Sequence, residues 1–397
     1  MLVVCQGIEL SEAFLRVSKA ISNKIANPIL EGIKISAEDN ILTLSATDTE
    51  LSIEKKIKAD VKVEGETVVP GKFITEFVKK LASTEIELEV NDKNQLLIRY
   101  DGNESIIQCY NPAEYPGFRK LKTDEYFGIT QRDFKNLVSK SIFSVALDDS
   151  RPVLKGVLFD INNNNIISVA LDGYRLAKVN KKIISNITKS IIIPQRSLNE
   201  VSKMLEDSDE IINVYIDNNA IMIDNGDTKI ISRLLEGDFI NYKQIIPANY
   251  ETFVIVNKNQ LEDALERVSL LTKVGQNNFV KFEITENNVY LTSNSEIGNI
   301  KENITATTSG KDIAIAFNPR FLLEALRVNS NEFVKMCFNK SINPCVIVPT
   351  EGDEFLYLIL PVRMVWNKKN VELLRLLRTN RDGYIGNYAP TSVEPRA

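Results

Sequence analysis

Histidine is absent from this 397-residue chain, and cysteine occurs only four times. The first absence removes Ser-His-Asp and Cys-His nucleophilic pairs, HExxH zinc sites and histidine-based acid–base catalysis together. Cys5, Cys109, Cys337 and Cys345 form no CxxC pair and are too few for a disulfide framework, which fits a reducing cytoplasm. Neither a Gly-x4-Gly-Lys-Ser/Thr phosphate loop nor a GxGxxG fingerprint is present, and no DxD or ExxE cluster stands out among the acids. No apolar run approaches the ~18 residues that span a bilayer. The start, Met1 to Glu9, has neither the basic region nor the hydrophobic stretch of a signal peptide. No cofactor, metal or membrane partner is expected, and the motif search points away from an enzyme. A carboxylate-pair hydrolase stays open because acidic residues are plentiful.

What is present is an ordinary globular composition, 44% hydrophobic and 25% charged, in a chain long enough for two to four domains. The net charge of −5 by itself disfavours nucleic acid. It decides little, because the placement of basic residues matters more than their sum.

The chain is written three times. Val69-Pro-Gly-Lys-Phe-Ile-Thr-Glu-Phe-Val-Lys79 recurs as Ile193-Pro-Gln-Arg-Ser-Leu-Asn-Glu-Val-Ser-Lys203 and as Phe317-Asn-Pro-Arg-Phe-Leu-Leu-Glu-Ala-Leu-Arg327. Lys72, Arg196 and Arg320 are separated by 124 residues at each step, as are Glu76, Glu200 and Glu324. Leu10, Phe14, Val17 and Ile21 mark the apolar face of an amphipathic helix, repeated at Phe134, Val138, Ser141 and Val145. The third copy, Leu261, Leu265 and Val268, is displaced by three residues. Between the two helices of each copy lie alternating β-branched stretches such as Ile41 to Ser45, separated by Asn/Asp/Gly turns. The expectation is an α+β chain of three tandem similar domains, 1–125, 126–248 and 249–364, each with two helices and about eight short strands on antiparallel sheets. Residues 365–397 form an atypical C-terminal extension.

In each second helix one cation sits at the first turn and another seven residues later, nearly two turns on and so on the same side. These are Lys72 and Lys79, Arg196 and Lys203, and Arg320 and Arg327; the first helices add Arg16, Lys140 and Arg267. Such stripes would contact phosphates without reading bases. The plainer reading is a solvated face, because Glu76, Glu200 and Glu324 share the stripe and pair with its cations.

The triplicated helix starts, the middle pair Ser150-Arg-Pro-Val-Leu-Lys-Gly156 and Leu171-Asp-Gly-Tyr-Arg-Leu176, and the closing strand Tyr357-Leu-Ile-Leu-Pro-Val-Arg363 together resemble the bacterial DNA polymerase III beta subunit, the sliding clamp, over residues 1 to about 364. The resemblance implies the DNA clamp fold, two three-domain subunits joined head to tail into a dimeric ring, with helices lining the hole. It implies a cytoplasmic, non-catalytic processivity factor of DNA replication. Its partners would be double-stranded DNA, the DNA polymerase III alpha subunit, a separate ATP-driven clamp loader and other proteins carrying clamp-binding motifs. The matching peptide groove is Leu154, Leu171, Gly173, Tyr174, Arg175, Leu176, Ile240, Ile245, Val346, Leu358, Leu360, Pro361 and Val362. Leu171 stands where the family often has a small polar residue, and Ile240 where it often has proline. Lys24 and Arg151 match positions near the DNA path, but Pro152 and Val153 replace two tyrosines that some relatives use for DNA. Ile106, Gln108, Leu270 and Leu271 match the dimer interface, with Gln108 polar where some members are apolar.

Family chains stop near Met364, and the continuation includes Val371-Glu-Leu-Leu-Arg-Leu-Leu-Arg378, loosely similar to the Gln-Leu-x-Leu-Phe peptides that clamp partners use. One hypothesis is that this tail competes for the groove; a packing helix, a disordered tail or frame-shifted sequence are the others. The competing functional reading for the whole chain is a triplicated adaptor that binds proteins and never encircles DNA.

Overall fold

The computed structural model describes residues 1–21, 27–81, 85–118, 121, 124–274 and 278–363; Lys24 and the 365–397 extension, with the tail hypothesis, lie outside them. Six α-helices occur among the described residues: α1 (Gly7–Val17), α2 (Gly71–Val78), α3 (Gln131–Ser139), α4 (Gln195–Met204), α5 (Lys258–Val274) and α6 (Pro319–Arg327). They pack as three pairs, α1 with α2, α3 with α4 and α5 with α6. The repeat positions Ile74, Leu198 and Leu322 are all fully buried, so the 124-residue step seen in the sequence is a step between equivalent core sites. Among the described residues the strands number nine, eight and nine in the three copies.

In the first two copies the first helix is shorter than its apolar period indicates, whereas α5 contains all of Leu261, Leu265 and Val268. Helix α1 stops at Val17, Ser18–Ala20 tightens into a 3-10 turn, and Ile21 has extended backbone while remaining buried. Ser141 and Val145 likewise lie past the end of α3. A serine stands at each break. Ser18 Oγ donates to Leu15 O at 2.9 Å and Ser141 Oγ to Leu137 O at 2.6 Å. Such side-chain bonds compete with the helical ladder.

Two hairpins end in the same turn. Asp48 Oδ1 accepts from the backbone N–H of Glu50 (3.0 Å) and Leu51 (2.8 Å), and Asp172 Oδ1 accepts from Tyr174 (2.9 Å) and Arg175 (3.0 Å). The second residue is left-handed in both, with φ +77° at Thr49 and +89° at Gly173. Glycine takes that conformation without strain and threonine does not. The strands that leave these turns carry the architecture across the domain boundaries. Leu51–Lys58 pairs antiparallel with Thr228–Arg233, and Arg175–Lys182 pairs antiparallel with Phe355–Ile359. An eight-stranded and a nine-stranded sheet are thereby shared between successive repeats. A five-stranded sheet in the first copy ends on Asn103–Gln108, and a four-stranded sheet in the third ends on Gly298–Thr305. Among the described residues no strand pairs with the outer edge of either.

One hydrophobic core runs through all three copies between helices and sheets, and a second cluster lies on the outer face of the nine-stranded sheet. Gly32 and Gly156, 124 apart, each follow a 3-10 turn and open a strand. A Cβ on Gly156 would stand 2.6 Å from Ile193 O and 2.8 Å from Ile192 Cγ2. Gly156→Ala is therefore expected to cost about 1–3 kcal/mol by overpacking and to lower the melting temperature by several degrees in calorimetry. An unchanged melt would mean that this strand entry is not tightly packed.

Candidate functional site

The second apolar cluster is organised by strand register. Phe253 stands opposite Cys337, Cys337 opposite Val346, Val346 opposite Leu358, Leu358 opposite Leu176, and Leu176 opposite Leu171. Directly opposed residues share a face with Cβ atoms about 5 Å apart, so these six make one cross-strand row over the boundary between the second and third copies. Leu154 and, less buried, Ile240 join it from flanking loops. Of the thirteen groove residues expected from the sequence, Leu154, Leu171, Leu176, Ile240, Val346 and Leu358 thus come together in one apolar cluster, all buried except Ile240, which is partly so. Tyr174 and Gly173 form an exposed rim, and Leu360 is tied to it by its N–H, which donates to Tyr174 O at 2.9 Å. Ile245 is exposed beyond the Tyr242–Gln244 turn. Pro361 and Val362 are half-buried, Val362 N–H donating to Ala316 O at 2.8 Å. Phe239, Tyr242 and Phe253 also contribute to the cluster and were not among the groove residues expected from the sequence; for Phe253 the alternation of Thr252 to Asn257 was the available signal.

Arg175 departs from the groove expectation. Strand alternation turns it to the face opposite Leu176, where it is buried. Its Nε donates to Asp172 Oδ2 (3.0 Å), its Nη2 to Phe143 O (2.5 Å) and its Nη1 to Glu324 on α6. The guanidinium lies 4.6 Å from the Phe321 ring centroid and 5.4 Å from that of Phe143, favourable cation–π distances. Tyr174 stacks on Phe321 at 6.2 Å. Glu324 also accepts from Arg320 Nε at 2.7 Å. Burial would raise the pKa of Glu324, but the hydrogen bonds from Arg320 and Arg175 outweigh it and hold the carboxyl below its ordinary value. Arg175 is thus a clasp between the second and third copies rather than a groove wall.

The second-helix cations are all exposed: Lys72, Lys79, Arg196, Lys203, Arg320 and Arg327, as is Arg151. Lys72 of the first copy and Arg196 of the second line one cleft of about 420 Å³ together with Lys19. Arg196 binds Asp48 and donates to Lys19 O at 2.9 Å. Lys203 pairs with Glu200 (2.9 Å) and Arg327 with Glu266 (2.6 Å), so the solvated-face reading holds for part of the stripe. The first-helix cations do not join it. Lys140 is buried and lies 5.9 Å from the Phe355 ring centroid, its pKa lowered chiefly by desolvation. Arg16 is half-buried, and Arg267 forms two 2.9 Å bonds to Glu302 on its own sheet. A helix that packs one face on a sheet leaves its flanking cations beside that sheet.

Of the interface candidates, Ile106 and Gln108 are exposed on the edge strand Asn103–Gln108, and Leu270 is 58% exposed on α5. Leu271 is turned into its own domain and buried. All four cysteines are buried, which raises their thiol pKa values, that of Cys5 to about 12. None is ionised to any extent at neutral pH.

Removing the clasp with Arg175→Ala leaves Glu324 and Asp172 facing an empty site. A loss of about 3 kcal/mol is expected, the low end for a broken buried pair because Glu324 is partly solvated. Amide hydrogen exchange in Phe355–Ile359 is the readout, and unchanged protection would refute the clasp. Because Glu324 titrates below its ordinary value of 4.5, its contribution is present above that pH and fades as the pH falls through the depressed folded value. Glu324→Gln should flatten that acid dependence.

The comparisons agree with this geometry. The N-terminal, central and C-terminal domains of the DNA polymerase III beta subunit family match residues 1–119, 128–241 and 243–363. The beta sliding clamp of Staphylococcus epidermidis is 34% identical over 357 residues, covering 87% of this chain and 94% of that protein. The crystal structure of a DNA polymerase sliding clamp from Bacillus subtilis superposes with a TM-score of 0.89 at 30% identity, over 92% of this chain and 100% of that one. A putative DNA polymerase III beta subunit from Eubacterium rectale gives 0.88 at 32% identity, over 92% and 100%. With three domain matches in order and strand pairing continuous across both of its boundaries, this chain belongs to the DNA polymerase III beta subunit family, the bacterial sliding clamps.

Proposed function

We propose that two copies of this chain close into a ring that encircles duplex DNA without reading its sequence, and that the ring tethers the replicative polymerase. The units are 1–125, 126–248 and 249–364. The observation that carries this reading is the repeated edge-to-edge pairing. Ile53 faces Ile230 at the first boundary and Ala177 faces Tyr357 at the second. By its place in the hairpin, the counterpart of Ile53 and Ala177 is Ile300, opposite Ser293 as they are opposite Ala46 and Ala170. The counterpart of Ile230 and Tyr357 is Ser105, opposite Ile98 as they are opposite Ile223 and Ile347. A third junction of the same form joins Gly298–Thr305 of one copy to Asn103–Gln108 of the other, with Ile300 facing Ser105 and Lys301 facing Glu104. Ile106, Gln108 and Leu270 flank that seam. It satisfies two otherwise open strand edges, and closed symmetry needs two such seams.

The second-helix cations, with Arg151 and Lys24, supply diffuse attraction to phosphate inside the ring, and the negative remainder of the chain keeps DNA from the outer surface. The apolar row with its Tyr174 and Leu360 rim receives short apolar peptides of the DNA polymerase III alpha subunit, the clamp loader and other partners.

Light scattering should give a mass near twice 44.8 kDa. The ring, once loaded, should stay on closed circular DNA in moderate salt and leave when the circle is cut. Equal retention on linear and closed DNA would rule out encirclement. The double variant Lys72→Glu/Arg196→Glu is expected to weaken the salt-dependent part of DNA attraction by about tenfold or more at low salt. A salt dependence identical to that of the unaltered protein would remove these two residues from the DNA path. Oxidation of Glu104→Cys/Lys301→Cys should link subunits covalently; monomers only would refute the stated register.

A further inference from the structure

We infer that Phe73 of one subunit and Ile297 of the other form an apolar contact that closes the helix side of the intersubunit seam; this rests on the ring reading above. Phe73, Ser197 and Phe321 hold the same place in α2, α4 and α6, one residue after the repeated cation. At the second junction this place meets the turn of the preceding copy directly, and at the first it reaches the strand leaving that turn only through Ser232 of its own copy. Phe321 stacks on Tyr174 at 6.2 Å and lies under Arg175. Ser197 is buried and accepts from Ser232 Oγ at 2.7 Å, and Ser232 stands opposite Leu51 in the shared sheet. Phe73 alone has its preceding copy in another molecule. It is 58% exposed, a large apolar side chain left in water at the one junction the chain cannot complete by itself.

The surroundings of Phe73 point the same way. Its ring packs on Phe77 at 6.1 Å, Phe77 meets Tyr100 edge-on at 5.9 Å, and the Tyr100 hydroxyl lies 3.5 Å from that of Ser105 on the unpaired edge strand. This aromatic series therefore ends beside the strand that pairs across the seam.

The matching position on the other side is fixed by the hairpin turns. Asp48 to Leu51, Asp172 to Arg175 and Ser295 to Gly298 are equivalent once the hairpins are aligned by register. Ile297 then takes the place of Tyr174, the residue that stacks on Phe321. It is 70% exposed at the tip of its hairpin. Gly298 takes the place of Arg175, and a Cβ there would meet nothing within 4 Å. The charged clasp of the second junction thus has no counterpart at the seam, and Phe73 meets Ile297 with no guanidinium between them. Burial of two large apolar groups replaces the ion pairs.

The test is dimer dissociation measured by sedimentation velocity across a concentration series. Phe73→Asp and Ile297→Asp are exposed-site changes that leave the fold intact, and circular dichroism melts confirm it. Each is expected to raise the dimer Kd at least tenfold, by leaving the partner side chain unpaired. The charge pair Phe73→Lys with Ile297→Glu should dimerise more tightly than either of its single variants. Ile342→Asp, also at an exposed site but in the turn between two strands of the nine-stranded sheet, should leave Kd unchanged. If the unaltered chain dimerises and both aspartate variants match it, the contact is wrong and the ring stands. An unaltered chain that is monomeric at every concentration overturns the ring reading itself.

Discussion

Antiparallel backbone pairing between the edge strands of neighbouring domains is the constraint on which the rest of the structure depends. A strand edge exposes a row of unsatisfied N–H and C=O groups, and a domain of this shape has one at each side. Here Thr228–Arg233 satisfies the edge of the first copy and Phe355–Ile359 that of the second. The pairing is directional: the strand after the Asp-led turn of one copy always meets the last strand of the next. Among the described residues, the outer edges of Asn103–Gln108 and Gly298–Thr305 are left without a strand partner.

The same pairing builds the outer apolar row and separates it from the clasp. Leu176 and Arg175 are neighbours in sequence, yet alternation sends one into the outer apolar row and the other toward α6. The apolar row and the contact that holds the copies together occupy opposite faces of a single shared sheet. The turn at Asp172 and Gly173 serves both, because it sets the register of Arg175 and holds Tyr174 at the rim.

Charge is divided by helix position rather than by total. The second helices present Lys72 and Arg196 in a common cleft, whereas on the first-helix side Lys140 is buried beside Phe355 and Arg267 is paired with Glu302 of its own sheet. A net charge of −5 is compatible with a local cluster of cations, because the total does not fix where the basic residues stand.

The triplication, the two helices per copy and the apolar strand patterns were legible in the sequence, because core positions recur with the local periods of helix and strand and with the 124-residue step. The row through Leu171, Leu176, Leu358 and Val346 was legible only through family resemblance, since its members come from strands over 160 residues apart. Helix ends at Ser18 and Ser141 were missed because side-chain hydrogen bonds there override the apolar period. Arg175, Lys140 and Leu271 were misplaced for a related reason: residue type and spacing say that a side chain leaves an element, but not which neighbour covers that side. Sequence by itself determined how many units there are and what each is made of, through local periodicity. Only the tertiary structure decided which edges join and which residues end between the units, because pairing between distant strands leaves no local mark on either.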